Sequence, residues 1–408
     1  MADNESLTCP KCGSAYKANA FGGQCPQCLM AAASAGSGFA GFEVLPPAEL
    51  NAALEEFDVT DLVGRGGMGA VYRARETRLD REVAIKLLAR EAGADPEFAA
   101  RFAREAQVTA KLDHPSIVPV YGVGYDALGR CYYSMRLVRG RELGEIFQLA
   151  NAGREGWNVA RAVAVMVRVC QAVAFAHGKG VVHRDLKPSN IMVGDLGEVY
   201  IMDWGLAKMA GVADLRDIRL RLESGGVSAL DTIVTSGTAG DSALMTMDGS
   251  VVGTPAYMPP EQALSRVDEV DHLSDIYSLG AVLYELLAGH APYSPKGSKS
   301  TPAEVLSTLS NQPPTRVHGE NAKAPAELVA VCEKAMARRR EDRYPHALDL
   351  AEDLQAWLDG RVVGAHGTGA LIVARKWVGR NRALATASVV LTILGLLAVA
   401  VVQFVANR

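Results

Sequence analysis

The sequence has little net charge of either sign and no internal repeat. Its 42 Lys and Arg residues nearly match its 46 Asp and Glu residues, giving a formal net charge of −4 over 408 residues. A chain this close to neutral offers no electrostatic basis for bulk nucleic-acid binding. Because 49% of the residues are hydrophobic, the chain can bury a large core, which excludes disorder throughout.

Acidic residues are absent from residues 361–408, which hold six basic residues and leave residues 1–360 with a net charge of −10. Within this tail, Ala383–Ala406 form a run of 24 residues without a charge. Such a run is long enough to cross a bilayer as a helix, although a buried core helix is the alternative. The segment 361–382 is a basic juxtamembrane stretch with an interfacial Trp377, so the positive-inside rule places the preceding residues in the cytoplasm. The sequence therefore predicts a single-pass protein of the cell inner membrane, with the lipid bilayer as a partner.

Cysteine is scarce, and four of the seven fall in the first 28 residues. The first residues lack a basic stretch followed by an apolar one, so we expect this end in the reducing cytosol. Cys9, Cys12, Cys25 and Cys28 form two CxxC pairs whose spacing is typical of a four-thiolate Zn²⁺ site, and residues 1–30 resemble a small zinc ribbon. Two disulfides, an iron–sulfur site or a redox site are the alternatives. The head contains only two basic residues, Lys11 and Lys17, which favours protein contact over nucleic acid. The three isolated cysteines are predicted to be small buried residues: Cys131, Cys170 and Cys332.

Residues 31–56 are interpreted as a linker, because residues 31–41 are almost all small. Residues 57–360 are interpreted as one globular domain. Its first part, residues 57–138, predicts short strands and one helix over Pro96–Leu112. Its second part, residues 139–360, predicts helices. A strand-rich lobe followed by a helical lobe is an α+β arrangement with a cleft between the lobes. The predicted strands are Phe57–Gly64, Ala70–Glu76, Arg81–Leu88, Ile117–Val123 and Cys131–Val138, and the main helices are Val159–His177, His272–Ala288, Ala326–Met336 and His346–Leu358.

Five motifs occur in a fixed order within this domain. The first is a GxGxxG sequence of Gly64, Gly66 and Gly69 between two predicted strands, where backbone amides can approach phosphates because no Cβ intervenes. Taken alone, it indicates an ordinary glycine-rich hairpin. Four further motifs follow: VAIK with Lys86, HRDLKPSN over His183–Asn190, DWG over Asp203–Gly205, and GTPAYMPPE over Gly253–Glu261, with Glu105 in the predicted helix after VAIK.

In this order and spacing, residues 57–360 resemble the bacterial eukaryotic-like serine/threonine protein kinases. The resemblance implies a two-lobed fold and transfer of the ATP γ-phosphate to Ser and Thr hydroxyls of protein substrates. Lys86 would contact the α- and β-phosphates and pair with Glu105, and Asn190 and Asp203 would hold Mg²⁺ or Mn²⁺. Asp185 would accept the hydrogen bond of the substrate hydroxyl, with Lys187 on the γ-phosphate.

The same resemblance assigns scaffold roles. Residues around the adenine would be Val71, Ala84, Met192 and the gatekeeper Met135. Thr254 would lie beside Asp185 and Lys187, Asp275 would anchor the catalytic loop, and Glu261 would pair with Arg343. Two departures from the family pattern, Trp204 for the usual Phe and Met258-Pro259-Pro260 before Glu261, leave the expected metal and ion-pair residues in place.

Arg184 beside Asp185 puts a positive charge next to the expected active site, and a phosphorylated residue of the activation segment would supply the anion that pairs with it. That segment, residues 203–261, is long and contains seven candidate hydroxyls, with Thr246 and Ser250 favoured: Thr232, Thr235, Ser236, Thr238, Ser242, Thr246 and Ser250. We expect autophosphorylation there, in trans within a homodimer. A disordered insert is the alternative for this stretch. Two other functions stay open at this point, a signalling scaffold without phosphotransfer and a regulator tethered to nucleic acid by the zinc head.

Overall fold

The computed structural model describes most of the globular domain and short parts of the ends: residues 6–8, 15–17, 44–66, 69–88, 96–204, 208–209, 255–264, 266–294, 300–367, and, in the tail, 381, 386–387, 390–395, 397, 399–400, 403 and 407. Several predicted features lie outside these residues. They are the four head cysteines, Thr254, and the hydroxyls proposed for phosphorylation.

The head contributes one small antiparallel hairpin. Strand β1 (Ser6–Thr8) pairs with β2 (Ala15–Lys17), with Leu7 opposite Tyr16. The first CxxC pair, Cys9 and Cys12, falls in the connection between these two strands.

Helix α1 (Pro47–Ala53) precedes the upper lobe and belongs to it, although the sequence analysis placed residues 31–56 in a linker. Leu50 is fully buried and Leu54 is 3% exposed, both against one face of the sheet that follows. The Asn51 amide donates to Val59 O (3.2 Å) and its Oδ1 accepts from Val59 N (2.6 Å). A seven-residue helix is too short to show helical periodicity. Its apolar residues therefore did not predict a helix, and the segment was assigned to the linker together with the small residues 31–41.

The upper lobe is built on a five-stranded antiparallel sheet in the order β3-β4-β5-β7-β6. Its strands are β3 (Phe57–Gly66), β4 (Gly69–Glu76), β5 (Arg81–Leu88), β6 (Val120–Tyr125) and β7 (Cys131–Arg136), and helix α2 (Pro96–Ala110) lies between β5 and β6 in the chain. Side chains alternate between the two faces. One face packs against α1 through Tyr72 and Ile85, and the other carries Lys86 and Tyr133 toward α2.

The lower lobe is helical, apart from short strand pairs. It contains β8 (Gly140–Glu142), α3 (Leu143–Ala152), α4 (Val159–Gly178), β9 (Val181–Val182), β10 (Ile191–Gly194), β11 (Val199–Ile201), β12 (Lys208–Met209), α5 (Pro260–Ala263), α6 (His272–Ala288), α7 (Pro302–Asn311), α8 (Val317–Glu320), α9 (Ala326–Ala335) and α10 (Ala347–Leu358). The two-lobed α+β fold expected from the sequence is confirmed.

Helices α4 and α6 form the centre of the lower lobe. Ten residues of α4 and fourteen of α6 are buried, so both helices are apolar on most sides. Within the described part of the chain, α4 is the one helix long and apolar enough to cross a membrane, and 56% of its apolar window is buried inside the lobe. Cys170 on α4 and Cys332 on α9 are also buried, as is Cys131 on β7, as predicted.

The chain continues the lower lobe beyond α10. Asp353 accepts hydrogen bonds from Gly364 N (2.6 Å), Ala365 N (2.9 Å) and the Tyr344 hydroxyl (2.7 Å). Val363 is fully buried in the main core. Residues 361–366, which the sequence placed in the juxtamembrane stretch, are therefore fixed to the lobe.

The described residues of the tail from 386 to 403 are helical. Their large apolar side chains are more than half exposed: Val390, Leu391, Ile393, Leu394, Leu397 and Val399.

Candidate active site

The loop that carries the HRD sequence, residues 183–190, is held by one buried carboxylate. Asp275 on α6 accepts hydrogen bonds from the backbone N–H groups of His183 and Arg184, each at 2.8 Å, and contacts His177 Nε2 at 2.8 Å. Burial alone would raise the pKa of Asp275, but the hydrogen bond and charge of His177 and the bond from His183 outweigh it and lower the pKa. Arg184 has a positive φ of 71°, and the two backbone hydrogen bonds that Asp275 accepts hold this strained backbone in place.

Asp185 lies at the centre of this loop with two donors on its carboxylate. Lys187 Nζ is 2.7 Å from Asp185 Oδ2, and Asn190 Nδ2 is 3.1 Å from the same oxygen. Asn190 Nδ2 also donates to Asp185 O at 2.8 Å, which fixes the amide. The side chains of Asp185 and Lys187 are 18% and 16% exposed, so both still reach the surface of the cleft.

Lys86 connects the upper lobe to the DWG sequence of the lower lobe. It sits on β5, and its Nζ donates to Glu105 Oε1 (2.8 Å) on α2 and to Asp203 Oδ1 (3.2 Å). Burial alone would lower the pKa of Lys86, but the negative charges of Glu105 and Asp203 and the hydrogen bond to Glu105 outweigh it and raise the pKa well above its usual value. The amine is therefore a permanent cation between two carboxylates.

Asp203 differs from Glu105 in its exposure. The Glu105 side chain is 2% exposed, whereas the Asp203 side chain is 50% exposed and has a positive φ of 57°. Partial desolvation of the Asp203 carboxylate by the surrounding protein would raise its pKa, but the charge of Lys86 and the hydrogen bond from Lys86 outweigh this and lower the pKa. Asp203 is thus an ionised carboxylate that faces the open cleft.

Two glycines of the GxGxxG sequence differ in how much space a side chain would have. They lie where β3 turns into β4, with Gly64 opposite Val71 and Gly66 opposite Gly69. A Cβ at Gly69 would lie 2.0 Å from Leu87 O on β5, so this glycine is needed for the close approach of β4 and β5. Among the residues that the structure describes, none lies within 4 Å of a Cβ built at Gly64.

The predicted adenine residues of the upper lobe share one face of the sheet. Ala84 on β5 is paired with Met135 on β7, and Val71 on β4 is paired with Lys86. Met192 lies on β10 of the lower lobe, opposite Glu142 of β8. The structure therefore brings Val71, Ala84 and Met135 to the face that carries Lys86, and places Met192 on the strand pair that follows in the lower lobe.

The two departures from the family pattern are accommodated. Trp204 is 2% exposed and packs on the His183 ring at 4.6 Å, although its indole N–H has no hydrogen-bond partner among the residues that the structure describes. Glu261 and Arg343 form the predicted pair, with two buried contacts of 2.8 and 2.9 Å. Burial would raise the pKa of Glu261, but Arg343 and Ser274 hold it below its usual value.

The sequence analysis missed two polar side chains of this site. His177 contacts Asp275, and the Tyr133 hydroxyl donates to Glu105 Oε1 at 2.7 Å. Tyr133 lies directly opposite Lys86 in the β5–β7 register. The alternation of β7 places it on the Lys86 face, and this was the available signal.

Comparison with known proteins agrees with this geometry. The family model described as "Protein kinase domain" matches residues 57–221 and 232–352. The serine/threonine-protein kinase PknD of Protochlamydia amoebophila is 33% identical over 313 residues, covering 75% of this chain and 30% of the relative. PknB of Mycobacterium tuberculosis, also named a serine/threonine-protein kinase, is 35% identical over 303 residues, covering 74% of this chain and 42% of the relative. The chain thus matches less than half of the length of these relatives.

A solved structure shares the fold. The crystal structure of the Mycobacterium tuberculosis PknI kinase domain aligns with a TM-score of 0.52 at 23% identity, covering 77% of this chain and 99% of that domain. The likeness supports the two-lobed architecture.

Substitution of two strand glycines distinguishes close packing between strands at Gly69 from open space beside the strand at Gly64. We expect Gly69→Ala to destabilise the protein by about 1–3 kcal/mol, because the new Cβ collides with the Leu87 carbonyl. Gly64→Ala should change the free energy of unfolding by less than about 0.5 kcal/mol. Urea unfolding of the two variants beside wild type measures both values. Equal destabilisation by the two substitutions would contradict the assignment.

Proposed function

The chain belongs to the protein kinase domain family, and on this premise we propose that it is a serine/threonine protein kinase that transfers the ATP γ-phosphate to Ser and Thr hydroxyls of proteins. One observation carries the proposal. Lys86 of the upper lobe and Asp203 of the lower lobe meet at 3.2 Å, while Asp185, Lys187 and Asn190 converge within 3.1 Å on the adjoining loop. A scaffold that only binds partners has no chemical need for this arrangement.

The donor set fits ATP with Mg²⁺ or Mn²⁺. Asp203 presents an ionised, half-exposed carboxylate and Asn190 an amide, and hard divalent cations prefer such oxygen ligands. No described residue lies within 4 Å of the Cβ position of Gly64, which favours the approach of phosphates to the backbone there. When bound, the metal ion supplies positive charge that neutralises the phosphate oxygens during transfer.

The residues of the chain then position the reactants. Lys86, kept cationic and aligned by Glu105, would hold the α- and β-phosphates. Asp185 would accept the hydrogen bond of the incoming Ser or Thr hydroxyl and so orient its oxygen toward the γ-phosphate. Lys187, 2.7 Å from Asp185, would place a positive charge beside that phosphate, and its presence favours Ser and Thr over Tyr as substrates.

Regulation by autophosphorylation is part of the proposal. Asp275 fixes the backbone of Arg184, so a phosphate bound by the Arg184 guanidinium would act directly on the loop that holds Asp185. Residues 232–250 would supply the phosphorylated hydroxyls, in trans between two copies. Mass spectrometry after incubation with ATP and Mg²⁺ tests this, and an active kinase with that segment unmodified would contradict it.

Membrane anchoring through residues 383–406 is also proposed, with the kinase domain on the cytoplasmic side of the inner membrane. The support comes from the described residues of the tail between 386 and 403, which are helical and whose large apolar side chains are more than half exposed, an arrangement that is favourable in lipid and unfavourable in water. We expect the full chain to remain in the membrane pellet after carbonate washing. Release into the supernatant would contradict the proposal.

A structural Zn²⁺ held by Cys9, Cys12, Cys25 and Cys28 completes the proposal. The support is the CxxC spacing, together with the pairing of β1 and β2, since the first cysteine pair lies between these two strands in the sequence. One equivalent of zinc per chain is expected by elemental analysis, and loss of that zinc is expected in Cys9→Ser. A wild-type protein purified without chelators that carries no zinc would contradict it.

Phosphotransfer by the full chain tests the main proposal. We expect the detergent-solubilised protein to label itself and a generic protein substrate from ATP labelled in the γ-phosphate with Mg²⁺ present. Lys86→Met and Asp185→Asn should each reduce the rate at least about 100-fold, since each removes a group that acts on the phosphates or the hydroxyl.

Matched substitutions of exposed residues of the same types control for charge. Lys111→Met and Asp195→Asn should keep the wild-type rate. If the wild type and the Lys86 and Asp185 variants remained folded and transferred phosphate equally poorly, the kinase proposal would be wrong. The alternative, a signalling scaffold without phosphotransfer, would then be favoured.

A further inference from the structure

We infer that Tyr133 is a positioning residue that holds Glu105 against Lys86 through its hydroxyl, whether or not nucleotide is present. The inference deepens the proposed kinase function and rests on it, since it concerns how the Lys86–Glu105 pair is kept assembled. It begins from an oxygen atom, Glu105 Oε1, that has two donors within 2.8 Å.

The two donors come from neighbouring strands. Lys86 on β5 and Tyr133 on β7 are directly paired in the sheet, so their side chains leave the same face next to each other. Lys86 Nζ is 2.8 Å from Glu105 Oε1, and the Tyr133 hydroxyl is 2.7 Å from the same oxygen. Glu105 is thereby bound to two positions of a rigid antiparallel ladder, instead of to a single flexible lysine.

The Tyr133 ring makes a second contact with α2. It packs against Phe102 with ring centroids 5.0 Å apart, in a cluster that also contains Leu88, Ala106 and Cys131. Phe102 and Glu105 are three residues apart and share one face of the helix. One side chain therefore holds α2 at two points, by ring packing and by a hydrogen bond.

The hydroxyl is a dependable donor at this position. Tyr133 is 4% exposed, and burial raises its pKa well above the ordinary value despite the opposing charge of Lys86. The phenol thus keeps its proton and donates to the carboxylate over the whole physiological range. A hydrogen bond to a buried charged group is stronger than one between neutral groups.

The consequence concerns the position of α2. If Lys86 alone held Glu105, a ligand in the cleft, such as a nucleotide, would be needed to keep α2 in the position where Glu105 contacts Lys86. Because both contacts of Tyr133 are with residues of α2 and need no ligand, the position of α2 that keeps Glu105 next to Lys86 is built into the upper lobe. Removing the hydroxyl while keeping the ring isolates this effect from packing.

The test uses the full chain in detergent and the substitution Tyr133→Phe, which preserves the ring against Phe102. Tyr132→Phe is the matched control, because Tyr132 is the adjacent residue of β7, faces the other side of the sheet and packs on Phe57 at 5.8 Å. Hydrogen exchange of peptides covering α2 is measured without nucleotide. We expect exchange about ten-fold faster in Tyr133→Phe and unchanged in Tyr132→Phe.

Activity and a double-mutant cycle supply the second readout. Tyr133→Phe should lower kcat/KM for ATP about ten-fold, which corresponds to one hydrogen bond to a charged group. In a Glu105→Ala background, Tyr133→Phe should have no further effect on α2 exchange, because the acceptor is gone.

Three results would overturn the inference: wild-type exchange in Tyr133→Phe, equal effects of Tyr132→Phe and Tyr133→Phe, or an undiminished effect of Tyr133→Phe in the Glu105→Ala background. A wild-type protein without phosphotransfer would refute the proposed function instead, and the exchange data would still decide the role of Tyr133.

Discussion

A buried carboxylate, Asp275, is the constraint on which the rest of the site depends. It is 1% exposed at the start of α6 and receives both backbone amides of the His183–Arg184 turn. Buried amides without an acceptor would cost about 1–3 kcal/mol each, so these bonds decide the path of the loop. The loop then places Asp185 and Asn190, and Asn190 O accepts from Met202 N at 2.9 Å, which fixes the strand end leading into Asp203. The position of the Asp275 carboxylate thus determines, through backbone hydrogen bonds, where Asp185, Asn190 and Asp203 lie.

Buried ion pairs connect the other parts of the molecule to this centre. Lys86 with Glu105 joins the upper sheet to α2, and Arg343 with Glu261 joins the loop between α9 and α10 to the end of the activation segment. Such pairs contribute little net stability because desolvation offsets their attraction, but breaking one leaves an uncompensated charge. Surface pairs, for example Arg78 with Glu56, contribute little to either stability or geometry. The buried pairs therefore specify the local arrangement within each lobe, and the apolar core around α4 and α6 supplies the stability of the lower lobe.

Much of this arrangement could be predicted from the sequence, because the proposed catalytic groups occur in continuous motifs. The structure brings Lys86 next to Asp203 and Asp185 next to Asn190, and strand β5 begins and ends at the predicted residues. Three features depended on tertiary contacts. Helix α1 showed no periodicity within seven residues, Gly69 is required by the Leu87 carbonyl of the next strand, and Tyr133 reaches Glu105 across a strand register. None of these contacts has a motif, since each depends on which segments the fold brings together.

Asp275→Asn offers the most direct test of this account. Asn has the same shape, but one of its two terminal atoms is a donor, so it cannot accept from both backbone amides. In the variant one backbone amide loses its acceptor, and the other donates to a neutral oxygen instead of a charged one. We therefore expect phosphotransfer to fall about 100-fold. Binding of ATP by Lys86 and the upper lobe should persist. The rate of single-turnover phosphotransfer at saturating ATP measures this. A variant that remains folded and transfers phosphate at the wild-type rate would contradict the claim that one buried carboxylate positions the site.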